Sequence, residues 1–151
     1  QMSNAAEIKV KKLRDDAKLP VRGSAAAAGA DLCACSDGET IIIAAGETVF
    51  IHTGIAVEIP DGFVGLIFAR SGLSTKRGLA PANKVGVIDS DYRGEIIVAL
   101  HNHGAAEQVI ERGERIAQLV IMPYAAADYN WAEELSDTSR GEGGFGSTGR
   151  K

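Results

Sequence analysis

From Ile8 to Lys11 apolar residues alternate with lysines, and a period of two predicts a strand with one solvated face running on to Leu13. Short apolar runs bounded by turn residues then recur: Asp31–Cys35 before Asp37-Gly38, Thr40–Ile43 before Ala45-Gly46-Glu47, and a long β-branched stretch holding Val49–Ile51 and Ile55–Ile59. Pro60-Asp61-Gly62 is a turn with a mechanism, since proline sets one φ and glycine supplies the positive one, and Phe63–Phe68 follows as the next strand. Val85, Val87 and Ile88 lead into the polar segment Asp89–Gly94, and Glu95–Leu100 leads out, so that segment is expected to reverse the chain as a hairpin-type connection. Gln108–Ile110 and Ile116–Pro123 complete the strands. Arg14–Val21 reads as a loop, and Gly23–Ala30 as an irregular connection, because its flanking glycines and short length oppose the helix that four alanines favour. A turn or two of helix within Ser71–Arg77, stopped by Gly78, is the one helical expectation. Short strands at intervals of about ten residues predict an all-β sandwich or barrel.

Residues 1–7 read as a disordered lead, and 8–135 as a single β domain of a size that buries its own core without staples. Residues 136–151 form a glycine-rich arm with no apolar periodicity. A net charge of -4 argues against an extended nucleic-acid surface, which needs clustered Lys and Arg. No apolar run is long enough to span a bilayer, and residues 1–7 lack the features of a secretory signal, so no membrane partner and a cytoplasmic address are expected. The two cysteines, Cys33 and Cys35, are too close for a standard disulfide framework and too few for a zinc site; they read as buried thiols of a reducing compartment.

Candidate chemistry gathers at four places. Asp89-Ser90-Asp91-Tyr92 is either a solvated turn or a site, and the ring of Tyr92 in mid-turn favours something that packs on it. The arm, Arg140 to Gly149, is either a loose terminus or a set of amides, hydroxyls and one guanidinium able to wrap phosphates, with Phe145 as a flat stacking face. Ala69-Arg70-Ser71-Gly72-Leu73 is either a helix cap or an anion pocket. Gln118, polar among Ile116, Leu119 and Ile121, faces solvent or a ligand. His52, His101 and His103 lack acidic or cysteine partners at metal spacing and read as surface or interface histidines.

Five segments occur in one order: Ala28–Leu32, Ala69–Leu73, Gly86–Gly94, Arg112–Leu119 and Arg140–Gly149. Together, with Asn83 ahead of the third, they resemble the five motifs of the trimeric deoxyuridine triphosphatase family across about residues 8 to 149. The resemblance implies a distorted jelly-roll, barrel-like β fold with little helix and a homotrimer with shared active sites. It also implies Mg2+-dependent hydrolysis of dUTP to dUMP and pyrophosphate, which limits uracil in DNA and supplies dUMP for thymidylate synthesis. By the same resemblance Asp89 activates the water that attacks the α-phosphorus and meets the sugar 3′-hydroxyl, while Tyr92 underlies the deoxyribose and excludes a 2′-hydroxyl. Asn83, Gly86 and Val87 read uracil, and Arg70, Ser71, Gly72 and Gln118 hold the triphosphate. Phe145 stacks on the base, Arg140, Gly146, Ser147 and Thr148 meet the phosphates, and Asp31 acts at the metal through water. Ala69 stands where the second motif usually has proline. A deoxycytidine triphosphate deaminase, which shares the fold, and a non-catalytic nucleotide-sensing jelly roll are the alternatives. If the source is eukaryotic, a nuclear pool is also expected.

Overall fold

The computed structural model describes residues 6–146 and Gly149, so Ser147, Thr148 and most of the expected lead lie outside the described residues. In chain order the strands are β1 Lys9–Lys12, β2 Val21–Arg22, β3 Ala30–Cys33, β4 Ile41–Ile43, β5 Thr48–Glu58 and β6 Phe63–Phe68. The helix α1, Ser71–Arg77, follows, then β7 Leu79–Pro81, β8 Gly86–Ile88, β9 Glu95–Asn102, β10 Gln108–Ile110 and β11 Arg115–Pro123. They build a four-stranded sheet in the order β1-β5-β9-β7, a five-stranded sheet β2-β3-β11-β6-β8 and a two-stranded ribbon β10-β4, with antiparallel pairing throughout. This is the all-β architecture with one short helix that the pattern predicts, and it agrees with the jelly-roll-like fold that the resemblance implies.

One core serves all three sheets. Leu32 of β3, Ile43 of β4, Ile51 of β5, Ile96 and Leu100 of β9, Ile110 of β10 and Ile116 of β11 are each at most 1% exposed and belong to one cluster. Burying each such side chain contributes roughly 1.5–3 kcal/mol. The alternation in β9 shows how the sequence makes the two faces: Ile96, Val98 and Leu100 are buried, whereas Glu95, Ile97, Ala99 and His101 are not. Asn102 ends that strand fully buried, its amide donating to the carbonyls of Ile43 and Ala106 at 3.0 and 2.8 Å while its oxygen accepts from Gly104 at 3.0 Å. A buried amide satisfied this completely ties the end of β9 to β4 and to the following turn.

Two expectations change. Asp89–Gly94 is not a hairpin, because β8 pairs with β6 in the five-stranded sheet while β9 pairs with β5 and β7 in the other. The segment is a crossover between sheets, opened by a β-turn in which the Tyr92 amide donates to the Asp89 carbonyl at 3.1 Å. The apolar stretch from Thr48 is one long strand, broken in register rather than in chain: His52 pairs with Ile97 and Ala56 with Glu95, so three residues of β5 oppose one of β9. Gly54 sits in this bulge at φ +73, where a Cβ would fall 2.9 Å from both Ala17 Cβ and Cys35 Sγ. The brief β2 and β7 are additional to the expected strands; β7 tolerates Pro81 because it is an edge strand. The helix forms where expected, and Gly78 closes it in the left-handed conformation, donating to the Leu73 carbonyl.

Both cysteines are free; Cys35 is buried and Cys33 partly so. Cys35 Sγ donates to Asp16 Oδ1 at 2.9 Å. Burial, then that hydrogen bond and the Asp16 charge, push the Cys35 thiol up to about 12. A thiol raised on folding stabilises the native state fully below its unfolded value of about 8.5. That contribution is lost as pH climbs toward the folded value of about 12. Urea unfolding midpoints at about pH 7.5 and pH 10.5 should therefore diverge more in the native protein than in Cys35→Ala. Equal divergence in the two would contradict this coupling.

Candidate active site

The expected site residues fall into three groups. The first surrounds the crossover. Val87, Ile88, Asp89, Tyr92, Glu95 and Ile97 line a pocket of about 180 Å³. Asp89 is exposed at its rim, and Tyr92, 43% exposed, lays its ring along the pocket and donates its hydroxyl to the Glu95 carbonyl at 2.8 Å. Gly94 makes this possible, because a Cβ there would fall 2.4 Å from the Tyr92 hydroxyl. Gly86 is buried against β6, with a Cβ position 3.1 Å from Ile67 Cβ and 3.4 Å from Asn83 Nδ2, so Asn83 lies over the start of β8. The turn that carries Asn83 is tight: the Val85 amide donates to the Asn83 carbonyl at 2.7 Å and Lys84 has φ +65. Val87, 60% exposed, presents an apolar face beside open backbone.

The second group is built by strand register. Asp31 of β3 pairs with Gln118 of β11, and Gln118 pairs with Phe68 of β6, so the three stand in one row across the sheet. Arg70 follows at the end of β6, and Ser71 and Gly72 open α1 with their side-chain and amide positions exposed. Arg70 Nε donates to Asp31 Oδ1 at 3.0 Å, and Arg115 donates to Asp31 Oδ2 at 3.4 Å. One carboxylate thus orients two guanidiniums, and Arg70 Nη1 also donates to the Arg115 carbonyl at 3.4 Å, so that an anion would meet the N–H groups beyond these contacts. Gln118 Nε2 donates to the Ala69 carbonyl at 2.8 Å, and a Cβ on Gly29 would fall 2.1 Å from its Oε1. The contact at position 69 is therefore made by the backbone, which alanine supplies as well as proline does.

The third group is the arm, whose described residues, Arg140 to Gly146 and Gly149, join neither. Its hydrogen bonds are local: Arg140 Nε donates to the Gly143 carbonyl at 2.6 Å and the Gly141 amide to Thr138 Oγ1 at 3.0 Å. Phe145 is 114% exposed, with φ +51, and Gly146 is exposed beside it. Asp89 stands apart from the second group, although Gly86, paired with Ile67 next to the Phe68–Gln118 pair, brings the start of β8 beside it. Ile88 pairs with Gly65, which places Asp89 level with Val64, six residues before Arg70 along β6. At about 3.3 Å per residue the separation is on the order of 20 Å.

Arg115 and the pair His52–Glu95 were not among the expected residues. His52 Nδ1 lies 2.9 Å from Glu95 Oε1, and the Gly54 amide donates to Glu95 Oε2 at 2.9 Å. Burial pushes the Glu95 carboxyl up, but the His52 and Gly54 hydrogen bonds with the His52 and Arg14 charges outweigh it and hold the carboxyl below its ordinary value. Among the described residues no cluster of three or more His, Cys, Asp or Glu could hold a metal ion. This donor set fits a divalent ion carried mainly by phosphate oxygens and water, with Asp31 reaching it indirectly, and does not fit a protein cage.

A β framework that presents a free carboxylate beside a sugar-sized pocket, and a separate guanidinium, amide and hydroxyl cradle for an anion, defines a handler of nucleoside phosphates. Residues 15–149 match the dUTPase family. The deoxyuridine 5'-triphosphate nucleotidohydrolase of Desulfitobacterium hafniense is 50% identical over 97% of this chain and 98% of its own. That of a Hydrogenobaculum species is 49% identical over 94% and 97%. The dUTPase of Staphylococcus bacteriophage 80alpha, solved with dUPNHPP, superposes with a TM-score of 0.87 at 33% identity, covering 96% of this chain and 99% of that one. A mutant dUTPase of phage phi11, whose structure describes coordination of a structural Mg(II) ion, gives 0.78 at 28% identity over 87% and 100%. The chain belongs to the dUTPase family.

Proposed function

We propose that this protein is a Mg2+-dependent dUTP diphosphatase whose active sites are completed between subunits of a homotrimer. The chain is an enzyme of dUTP hydrolysis, by membership of its family. The observation that carries the detailed reading is the pocket in which Asp89 and Tyr92 meet. In this reading the Asp89 carboxylate accepts a proton from a water, whose oxygen attacks the α-phosphorus. The bond from that phosphorus to the bridging oxygen breaks, dUMP forms and pyrophosphate leaves. Tyr92 lies under the deoxyribose, where a 2′-hydroxyl would meet its ring, and Asp89 also meets the 3′-hydroxyl. Asn83, with the backbone of Gly86 and Val87, reads the uracil edge. Arg70, Ser71, Gly72 and Gln118 take the phosphates, and Phe145 closes on the base while Arg140, Gly146, Ser147 and Thr148 close on the phosphates. Mg2+, when bound, would supply neutralisation of the triphosphate charge, and Asp31 is the residue that would hold it, through water. Most of the rate enhancement then comes from position and charge complementarity.

Two features support subunit sharing. Residues 125–146 lie on neither sheet, and in the isolated chain Tyr129, Trp131 and Leu135 are 93%, 105% and 88% exposed. A groove of about 1220 Å³, lined by Ile8, Val10, Val57, Phe63 and Leu119 among others, offers a neighbouring copy's apolar segment a seat. The two free thiols support a reducing, cytoplasmic setting for the enzyme.

Pyrophosphate release should be fast with dUTP, slow with UTP and dCTP, and abolished by chelator. Asp89→Asn should keep nucleotide binding and lose about 10²–10⁴-fold in turnover, as expected for a general base. Near-normal turnover in that variant would remove Asp89 from the reaction. For sharing, Asp89→Asn and Arg70→Ala chains, each inactive alone, should recover about a quarter of native activity when co-refolded, the chance that a site draws its good half from each. No recovery would show that each chain works alone.

A further inference from the structure

Among the described residues the Tyr92 hydroxyl has one hydrogen-bond partner, the Glu95 carbonyl, and that carbonyl sits on the first residue of β9, where a strand end is ordinarily free to fray. The Glu95 side chain removes that freedom. It is 18% exposed, reaches across to the β5 bulge, and accepts the Gly54 amide at 2.9 Å on one oxygen while its other oxygen meets His52 Nδ1 at 2.9 Å. The bulge is itself immobilised from three directions. Thr53 Oγ1 donates to the Ile96 carbonyl at 2.6 Å, Leu13 donates to the Gly54 carbonyl at 2.7 Å, and Cys35 donates to the His52 carbonyl at 2.8 Å. Arg14 Nε adds a contact at 3.8 Å to Glu95 and is held in turn by Asp37. Glu95 therefore fastens one end of the crossover to the most cross-linked part of the four-stranded sheet. Glu95 also lines the pocket with Asp89 and Tyr92, so nothing intervenes between the clamp and the floor it holds.

We infer that Glu95, clamped by His52 and the Gly54 amide, is a positioning residue that sets the height of the Tyr92 ring and with it the discrimination of deoxyribose from ribose. The inference rests on the reading of Tyr92 as the floor of the sugar pocket. The selecting contact in that reading is a steric one, so a drop of the ring would admit the extra hydroxyl. A hydroxyl tied to a fixed carbonyl prevents that drop. Gly94 serves the same end by letting the hydroxyl lie against the backbone.

The experiment compares kcat/KM for dUTP and UTP in the full-length protein and in Glu95→Ala, Glu95→Gln, Tyr92→Phe and the double variant Tyr92→Phe/Glu95→Ala. Glu95→Ala should lower the dUTP:UTP ratio at least tenfold, chiefly by raising turnover of UTP relative to dUTP. Glu95→Gln should keep the ratio within about threefold, since the amide oxygen still accepts from Gly54 and the amide nitrogen takes the place of the carboxylate oxygen beside His52 Nδ1. Tyr92→Phe should reproduce the loss, and the double variant should discriminate no worse than Tyr92→Phe alone, because both changes cut one chain of contacts. Additive losses, an unchanged ratio in Glu95→Ala, or an unchanged ratio in Tyr92→Phe would each overturn the inference. If Glu95→Ala fails to fold, His52→Ala, which removes one partner of the clamp, takes its place: the dUTP:UTP ratio should fall, and an unchanged ratio overturns the inference. A native protein that turned over UTP as fast as dUTP would instead overturn the function assigned to the pocket, before any variant is measured.

Discussion

Everything at the candidate site depends on where β8 and β9 find their partners. Had they paired with each other, Asp89–Gly94 would be a surface hairpin tip. Because β8 adds to β6 and β9 lies between β5 and β7, the same residues must step from one sheet to the other. A segment under that constraint has both ends fixed in separate ladders, and it holds its carboxylate and ring over a cleft rather than waving them in solvent. The bulge opposite Glu95 belongs to the same arrangement. It lets β5 pass the crossover with an amide to spare, and Glu95 takes that amide up.

The phosphate cradle is organised by register in the other sheet. Pairing of Gln118 with Asp31 on one side and Phe68 on the other fixes a row from which Arg70 and the start of α1 project. Asp31 then acts as a hinge pin for two guanidiniums, so much of the preorganisation that a triphosphate needs is present without the nucleotide. What one chain lacks is closure. The described residues of its aromatic arm make only local hydrogen bonds, and Phe145 is fully exposed, which is why association between copies is part of the proposed mechanism and not an addition to it.

Much of this was legible in the sequence. Alternation and turn chemistry located β1, β3, β4, β6, β9, β10 and β11 and the stop of α1 at Gly78, since each depends on neighbours a few residues away. Periodicity reports that a segment is a strand but not which strand it joins, so the crossover at Asp89–Gly94 looked like a hairpin. The strands β2 and β7, two and three residues long, carry too little pattern to read. The site divides in the same way. Asp89, Tyr92, Arg70 and Gln118 stood out because each is chemically odd where it lies. Arg115 and His52 did not, because their meaning comes from partners 84 and 43 residues away.

The central claim is that water attacks the α-phosphorus of dUTP. Turnover in water enriched in oxygen-18, followed by mass spectrometry or phosphorus NMR of both products, tests it directly. The label should appear in the phosphate of dUMP, with none in pyrophosphate. Label in pyrophosphate instead, or release of orthophosphate in its place, would contradict the account.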